Sequence, residues 1–279
     1  MTASLLQVDQ LDVAYRGPAG AVPVVKGVSF TLGQEKLAVV GESGSGKTTV
    51  GRALLRLLPR HAQVSARTLR FDGVDLLAAS DRQMGQLRGQ RLSMIMQDPR
   101  YSLNPVMPVG AQIGEAVLRA EALGRAACQE RVEQLLARVH IREPGRVARQ
   151  YAHQLSGGMG QRVMIAMMLA QKPRLLVADE PTSALDVSVR QEVLDLLDEL
   201  VAEQGLMLLF ISHDLNLVGR FCDRVLVMYG GRVVEALPAA ELAHADHPYT
   251  RALLSAAPSL KHRRRTLPVL QRDPAWSAG

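Results

Sequence analysis

Nine residues, GESGSGKTT at 41 to 49, stand between an apolar stretch, KLAVV at 36 to 40, and GKTTVGRALLRLLP, where Val50, Ala53, Leu54, Leu57 and Leu58 recur near helical spacing. A strand, a glycine-rich turn and a helix in immediate succession leave the chain few folds to choose from. The strand must be buried and the helix must pack back on its sheet, while glycines let the backbone bend where side chains would obstruct it. Pro59 marks the expected end of the helix, because it carries no backbone N–H and clashes with the preceding turn.

Alternation in LLQVDQLDVAY and VVKGVSFTL predicts two strands ahead of this unit. Further strands are expected at RLLVAD (174 to 179), LMLLFIS (206 to 212) and RVLVMY (224 to 229), with the amphipathic helix VRQEVLDLLDELVAEQ between the first two. Strands alternating with helices imply an α/β fold with a parallel sheet. From about 105 to 172 the pattern turns helical, in VGAQIGEAVLRAEAL, ACQERVEQLLARV and GQRVMIAMMLAQ, with turns at Gly124 and at EPG, 143 to 145. The methionines of MIAMM at 164 to 168 read as adaptable core packing.

Composition narrows the partners. With 47% hydrophobic residues in 279, the chain can bury a large core, which excludes disorder and a small disulfide scaffold. Lys+Arg 33 against Asp+Glu 27 leaves +6, a balance suited to an anionic partner. No apolar run reaches the roughly 18 residues of a bilayer span. Asp9 interrupts the N-terminal apolar stretch and no basic start precedes it, so no secretory signal is expected. Cys128 and Cys222 suit a reducing compartment and are too few for a cysteine-built metal site.

The turn at 41 to 49 fits GxxxxGK[ST], a phosphate-binding pattern confirmed by its strand–helix context. Gly41, Gly44 and Gly46 would let backbone N–H groups face phosphate oxygens, and the helix starting near Lys47 adds its positive dipole end. Lys47 supplies a point charge for the β- and γ-phosphates, Thr48 a hydroxyl for Mg²⁺, and Thr49 support near the α-phosphate. Glu42, Ser43 and Ser45 complete the loop. Far along the chain, Asp179 and Glu180 end the apolar strand containing Leu175, Leu176 and Val177. That strand is expected beside the phosphate-bearing one, with Asp179 in the Mg²⁺ shell and Glu180 receiving a proton from, or orienting, the attacking water. An acidic pair at a strand end is by itself only a solvated terminus; with the loop it points to nucleoside triphosphate hydrolysis.

QLSGGMGQR at 154 to 162 completes a set that resembles the ATP-binding cassette family over residues 5 to 235. Tyr15 looks like the adenine-stacking aromatic, Gln97 in MQDP like the Q-loop glutamine, and LSGGM at 155 to 159 like the signature loop. Ser183, Ala184, Leu185 and Asp186 resemble the D-loop, and His213 in ISHD the switch histidine at the γ-phosphate. The resemblance implies a P-loop NTPase (RecA-like) core with an antiparallel β subdomain, a helical insert subdomain and a short C-terminal extension. It places an ATP-binding domain at 1–235, its helical subdomain at about 98–160, and the extension at 236–279. Gln97 would share the Mg²⁺ ion with Thr48 and Asp179, and Lys47, Gln97, Glu180 and His213 would be catalytic. Ser156, Gly157, Gly158 and Asp186 would act on ATP held by a partner's P-loop.

SGGM with QRVMIAMML, QDPRYSLNPVMPVG at 97 to 110 and HPYTRALLSAAP at 247 to 258 resemble the ATPase subunits of oligopeptide, dipeptide and nickel importers. The commoner signature has Gln where Met159 stands and often Arg where Gly160 stands. In that subgroup an SGGM chain pairs with an SGGQ chain, so a heterodimer is expected, with two transmembrane permease subunits and an external solute-binding protein reached through them. The implied place is the cytoplasmic face of the bacterial inner membrane, peripherally bound. The cysteine-free tail implies no iron–sulfur cluster, and its shortness leans toward the nickel or metal-chelate branch. His244 and His247 read as structural, and KHRRR at 261 to 265 as a solvated tail, with contact to acidic lipids as the functional alternative. The rival readings are a non-transport cassette ATPase acting on nucleic acid or ribosomes, and an exporter ATPase. The former is opposed by the single cassette and the lack of a long coiled-coil insertion, so no nucleic-acid partner is expected.

Overall fold

The computed structural model describes residues 5–18, 20–97, 102–183 and 185–256, with Asp273 and Trp276 beyond them. Residues 98–101 of QDPRYSLNPVMPVG, Ala184 of the D-loop pattern, the last two residues of HPYTRALLSAAP and the basic run KHRRR lie outside the described residues. The chain opens with β1 (Leu6–Gly17), β2 (Gly20–Leu32), β3 (Lys36–Val40) and α1 (Lys47–Leu54). Short strands β4 (Ala62–Ser65), β5 (Thr68–Phe71) and β6 (Val74–Asp75) precede α2 (Asp81–Gln90) and β7 (Leu92–Ile95). Then come α3 (Val109–Ala120), α4 (Arg125–Arg138), α5 (Pro144–Val147), α6 (Gly157–Leu169), β8 (Leu175–Asp179) and α7 (Val187–Gln204). The order ends with β9 (Met207–Ile211), α8 (Leu215–Phe221), β10 (Arg224–Tyr229), β11 (Arg232–Pro238) and α9 (Pro248–Ala256). The chain divides into two compact units, Met1–Ala79 with Leu208–Gly279, and Ser80–Met207.

In the first unit an antiparallel sheet runs β2-β1-β5-β6, with β4 also paired to β1. Leu6, Val8, Leu11 and Val13 of β1 are buried, and a register shift between Val8 and Leu11 keeps the inward set inward although the spacing there is three. Strand β3 is flanked by β10 and β9, both parallel to it, so Val39 lies between Leu226 and Ile211. Leu37, Ala38, Val39 and Val40 are fully buried, as strands covered on both faces require. Both places beside β3 are thus taken by strands of its own unit, and the strand ending in Asp179 is not its neighbour as the sequence suggested.

Helix α1 stops at Leu54 rather than at Pro59. Arg56 turns left-handed at φ 51°, its N–H donates to Ala53 O at 3.0 Å, and the Leu57 N–H donates to Arg52 O at 2.9 Å. This pair of bonds closes the helix as a Schellman motif, with arginine where glycine is usual. The Arg56 guanidinium donates to the Ala79 carbonyl. Leu57 therefore leaves the apolar stripe and is 46% exposed.

The second unit pairs β7 with β8 in parallel, from Leu92 opposite Leu175 to Ile95 opposite Ala178. Helices α3, α4 and α6 pack on one another. Ile113, Val117, Val132, Leu135, Leu136, Val163, Met164 and Ile165 are buried among them. Helix α7 buries Val193, Leu196, Leu197 and Leu200 and ends on Gly205 in the left-handed region.

Both cysteines are buried free thiols. At the end of α8, burial pushes the Cys222 thiol up to about 12, with Asp223 adding to the rise and Lys36 opposing it. A raised acid pKa favours the folded chain below about pH 8.5, where an unfolded thiol begins to ionise, and that contribution is lost as pH rises toward the folded value. Iodoacetamide at pH 8.5 is therefore expected to leave Cys222 unmodified in the native chain and to alkylate it in denaturant, as read by peptide mass mapping.

Candidate active site

In the first unit the loop leaving β3 is shaped by backbone contacts that only glycine tolerates. Gly41 sits at φ 148°, and a Cβ there would lie 2.2 Å from the Met228 carbonyl oxygen at the end of β10. Gly46, at φ 102°, faces Val24 O of β2, 3.0 Å from where its Cβ would stand. The loop is thus pressed between β2 and β10 at its two ends. Lys47 opens α1 at 7% exposure, and its ammonium donates to the carbonyls of Gly41 and Glu42, each at 2.8 Å. Ser43 and Gly44 are exposed, Glu42, Thr48 and Thr49 half-buried. Ser45 Oγ is buried without a hydrogen-bond partner, and Ser45 N–H donates to Glu42 O at 3.2 Å. An orphaned hydroxyl beside a glycine-lined curve and a helix N-terminus fits a phosphate-bearing ligand.

Other expected residues of this unit have separate settings. Tyr15 is half-buried on β1, opposite Val22 and Ala62, with its ring 5.7 Å from that of His61. His213 is exposed just after β9, where Ser212 Oγ accepts the Asp214 N–H at 3.0 Å and Asp214 caps α8 through Leu217 N–H, also at 3.0 Å. The sequence reading missed Tyr249, whose hydroxyl accepts the Glu42 N–H at 3.0 Å across 207 residues. His247 has structural roles: its Nδ1 accepts the Tyr249 N–H at 3.2 Å, while its own N–H donates to Glu235 Oε1 at 3.1 Å.

The second unit brings Gln97 and Glu180 together, the amide Nε2 donating to the carboxylate Oε2 at 3.2 Å. Asp179, 5% exposed, ends β8, and Glu180 follows at φ 48°, a left-handed conformation that costs a non-glycine residue on the order of 1 kcal/mol. Ser183 fixes it by donating its N–H and its hydroxyl to the Glu180 carbonyl, at 3.2 and 3.1 Å. The carboxylate is thereby aimed by its backbone as well as by Gln97.

The SGGM segment starts α6. Ser156 is the N-cap, its Oγ accepting the Met159 N–H at 3.3 Å. Ser156 and Gly157 are exposed and Gly158 is half-buried. A Cβ on Gly158 would stand 2.7 Å from Val189 Cγ1 in the first turn of α7. The N-cap of that turn is Asp186, whose Oδ1 accepts the Val189 N–H at 2.9 Å. One turn further along both helices, Arg162 pairs with Glu192 and donates to His140 O at 3.0 Å. Burial, then the charge of Arg142, lowers the Arg162 pKa from its ordinary value.

A family model described as ABC transporter matches residues 25–183. The probable peptide ABC transporter ATP-binding protein y4tR of Sinorhizobium fredii is 43% identical over 265 residues, covering 94% of this chain and 79% of that one. The oligopeptide transport ATP-binding protein OppD of Bacillus subtilis is 42% identical over 260 residues, covering 92% of this chain and 73% of that one. Among solved structures, a dimeric bacterial ABC transporter cassette matches with a TM-score of 0.74 at 24% identity, over 84% of this chain and 98% of that one. The structure of cbiO1 from Clostridium perfringens, part of the ABC transporter complex cbiONQ, matches at 0.73 and 28% identity, over 86% and 91% of the two chains. The fold is that of a P-loop NTPase cassette.

The two serine-capped helices of the second unit differ at one position. At α2, Ser80 and Gln83 form a full capping box, with Ser80 N–H donating to Gln83 Oε1 at 2.8 Å and Gln83 N–H donating to Ser80 Oγ at 3.3 Å. At α6, Met159 occupies the third helical position and supplies only its N–H. Met159→Gln completes the box, and a gain of about 0.5 kcal/mol is expected in the unfolding of the chain, measured in denaturant.

Proposed function

Since this chain belongs to the ABC transporter family and is an ATPase whose hydrolysis is coupled to transport, we propose that it energises the import of peptides through a separate membrane permease. The relatives' names support the peptide substrate over a metal chelate. For the chemistry, the observation that carries the reading is the bond between Gln97 and Glu180, a neutral amide orienting a carboxylate whose backbone is already held. Carboxylates so placed take a proton from water attacking a phosphoryl group.

Each residue has a defined task in this reading. Lys47 transfers its ammonium from the Gly41 and Glu42 carbonyls to the β- and γ-phosphates, while the N–H groups from Ser43 to Thr49 and the Ser45 hydroxyl surround the phosphate chain. The oxygen donors of Thr48, Gln97 and Asp179 are of the kind that suits a hard cation such as Mg²⁺, which would neutralise developing phosphate charge. His213 contacts the γ-phosphate and Tyr15 stacks on adenine. Ser156, Gly157, Gly158 and Asp186 serve ATP held by a second ATPase subunit. Met159 supports an SGGQ-type partner, because the chain supplies one half-capped signature and a heterodimer would supply the other kind.

No described helix is long and apolar enough to cross a membrane. The pore therefore belongs, in this reading, to two permease subunits fed by an external solute-binding protein, with this chain peripheral on the cytoplasmic face. Residues 1–235, including a helical subdomain at about 98–160, form the nucleotide-binding domain, and 236–279 its extension.

In the transporter assembled with its permease, Glu180→Gln is expected to retain ATP and to lower turnover by about 100-fold or more, the usual contribution of a general base. Unchanged turnover removes Glu180 from the reaction. Stimulation of hydrolysis by peptide-loaded binding protein supports import; stimulation by nucleic acid instead would favour the non-transport reading.

A further inference from the structure

Behind the loop lies a contact that no nucleotide-facing motif explains. Tyr249, in the HPYT segment at the start of α9, is fully buried, yet its hydroxyl reaches the first peptide of the loop and accepts the Glu42 N–H at 3.0 Å. The C=O of that same peptide unit is Gly41 O, which accepts the Lys47 ammonium at 2.8 Å. In a trans peptide the two groups point opposite ways, so the Gly41–Glu42 unit is gripped from both sides, by Tyr249 outside the loop and by Lys47 inside it.

The position of Tyr249 is itself fixed. Glu235 of β11 accepts the Asp246 and His247 N–H groups with Oε1, at 2.7 and 3.1 Å, and His247 Nδ1 accepts the Tyr249 N–H. The Tyr249 ring packs at 4.5 Å on Tyr229, which follows the Met228 whose carbonyl confines Gly41. Trp276 closes the cluster, 5.5 Å from Tyr249 and 5.7 Å from Tyr229.

We infer that Tyr249 is a positioning residue for ATP: its hydroxyl sets the plane of the Gly41–Glu42 peptide and so the place from which Lys47 engages phosphate. The inference rests on the reading of residues 41 to 49 as the ATP site. A contact of this kind acts on the shape of the empty loop, so its loss weakens nucleotide binding more than the chemical step.

The test uses the full chain assembled with its permease and three variants. Tyr249→Phe keeps the ring and removes the acceptor, and is expected to raise the KM for ATP about three- to tenfold with kcat within about twofold. Hydrogen exchange should show the Glu42 amide opening faster in that variant. Tyr249→Leu removes the ring as well and is expected to lower thermal stability. A silent Tyr249→Phe beside a destabilised Tyr249→Leu overturns the inference, because the residue would then serve packing alone. Lys47→Ala is expected to lose ATP binding; full binding by that variant overturns the reading of the loop, and the inference with it.

Discussion

A lysine ammonium at 7% exposure has to be given acceptors, and the Lys47 side chain takes them from the loop that precedes it. An unpaired charge so buried would cost several kcal/mol, so the Gly41 and Glu42 carbonyls must turn inward, and the backbone must curve to let them. The curve brings Gly41 against Met228 O and Gly46 against Val24 O, which fixes where β10 and β2 pass. The Lys26 N–H donates to Gly231 O at 2.8 Å, joining β2 to the β10–β11 turn on the same side. One charge requirement therefore propagates into the placement of two strands.

The second unit answers a different constraint, that of holding polar groups in unfavourable geometry next to helix ends. Glu180 is left-handed, and Ser183 meets the cost with two bonds to one carbonyl. The starts of α6 and α7 are locked by the absence of a side chain on Gly158, since any Cβ would strike Val189. Displacing either helix start would break the Arg162–Glu192 pair. The starts of α6 and α7 are in this sense packed as one element.

How far this was legible from sequence depends on how locally each feature is encoded. KLAVV, RLLVAD and LMLLFI announce strands because burial on both faces demands unbroken apolar runs. Strands β4, β5 and β6 escape the same reading: they hold two to four residues each and depend on β1 or β5 for pairing. Helix α2 offers only Met84 and Leu87 as buried apolar residues, though the Ser80–Gln83 spacing was an available start signal. The candidate site residues could be proposed one by one because the motifs are contiguous. The bond between Gln97 and Glu180 was not legible, nor was the left-handed turn that follows Asp179. No periodicity relates residue 42 to residue 249.

The net charge of +6 suggests an anionic partner, and in the proposed reading the source of that affinity is local. At physiological ionic strength a charge is screened beyond about 8 Å, so scattered surface arginines contribute little at one loop. In the proposed reading, what acts on a phosphate chain there is a single buried ammonium together with N–H groups of the loop, each worth more in a protein surrounding than in water. The loop backbone is held by strands β2 and β10 and, through one phenolic oxygen, by the segment after β11. The tyrosine of HPYT is fastened to the backbone of the loop, so a residue far along the chain bears on the shape of a turn near its start.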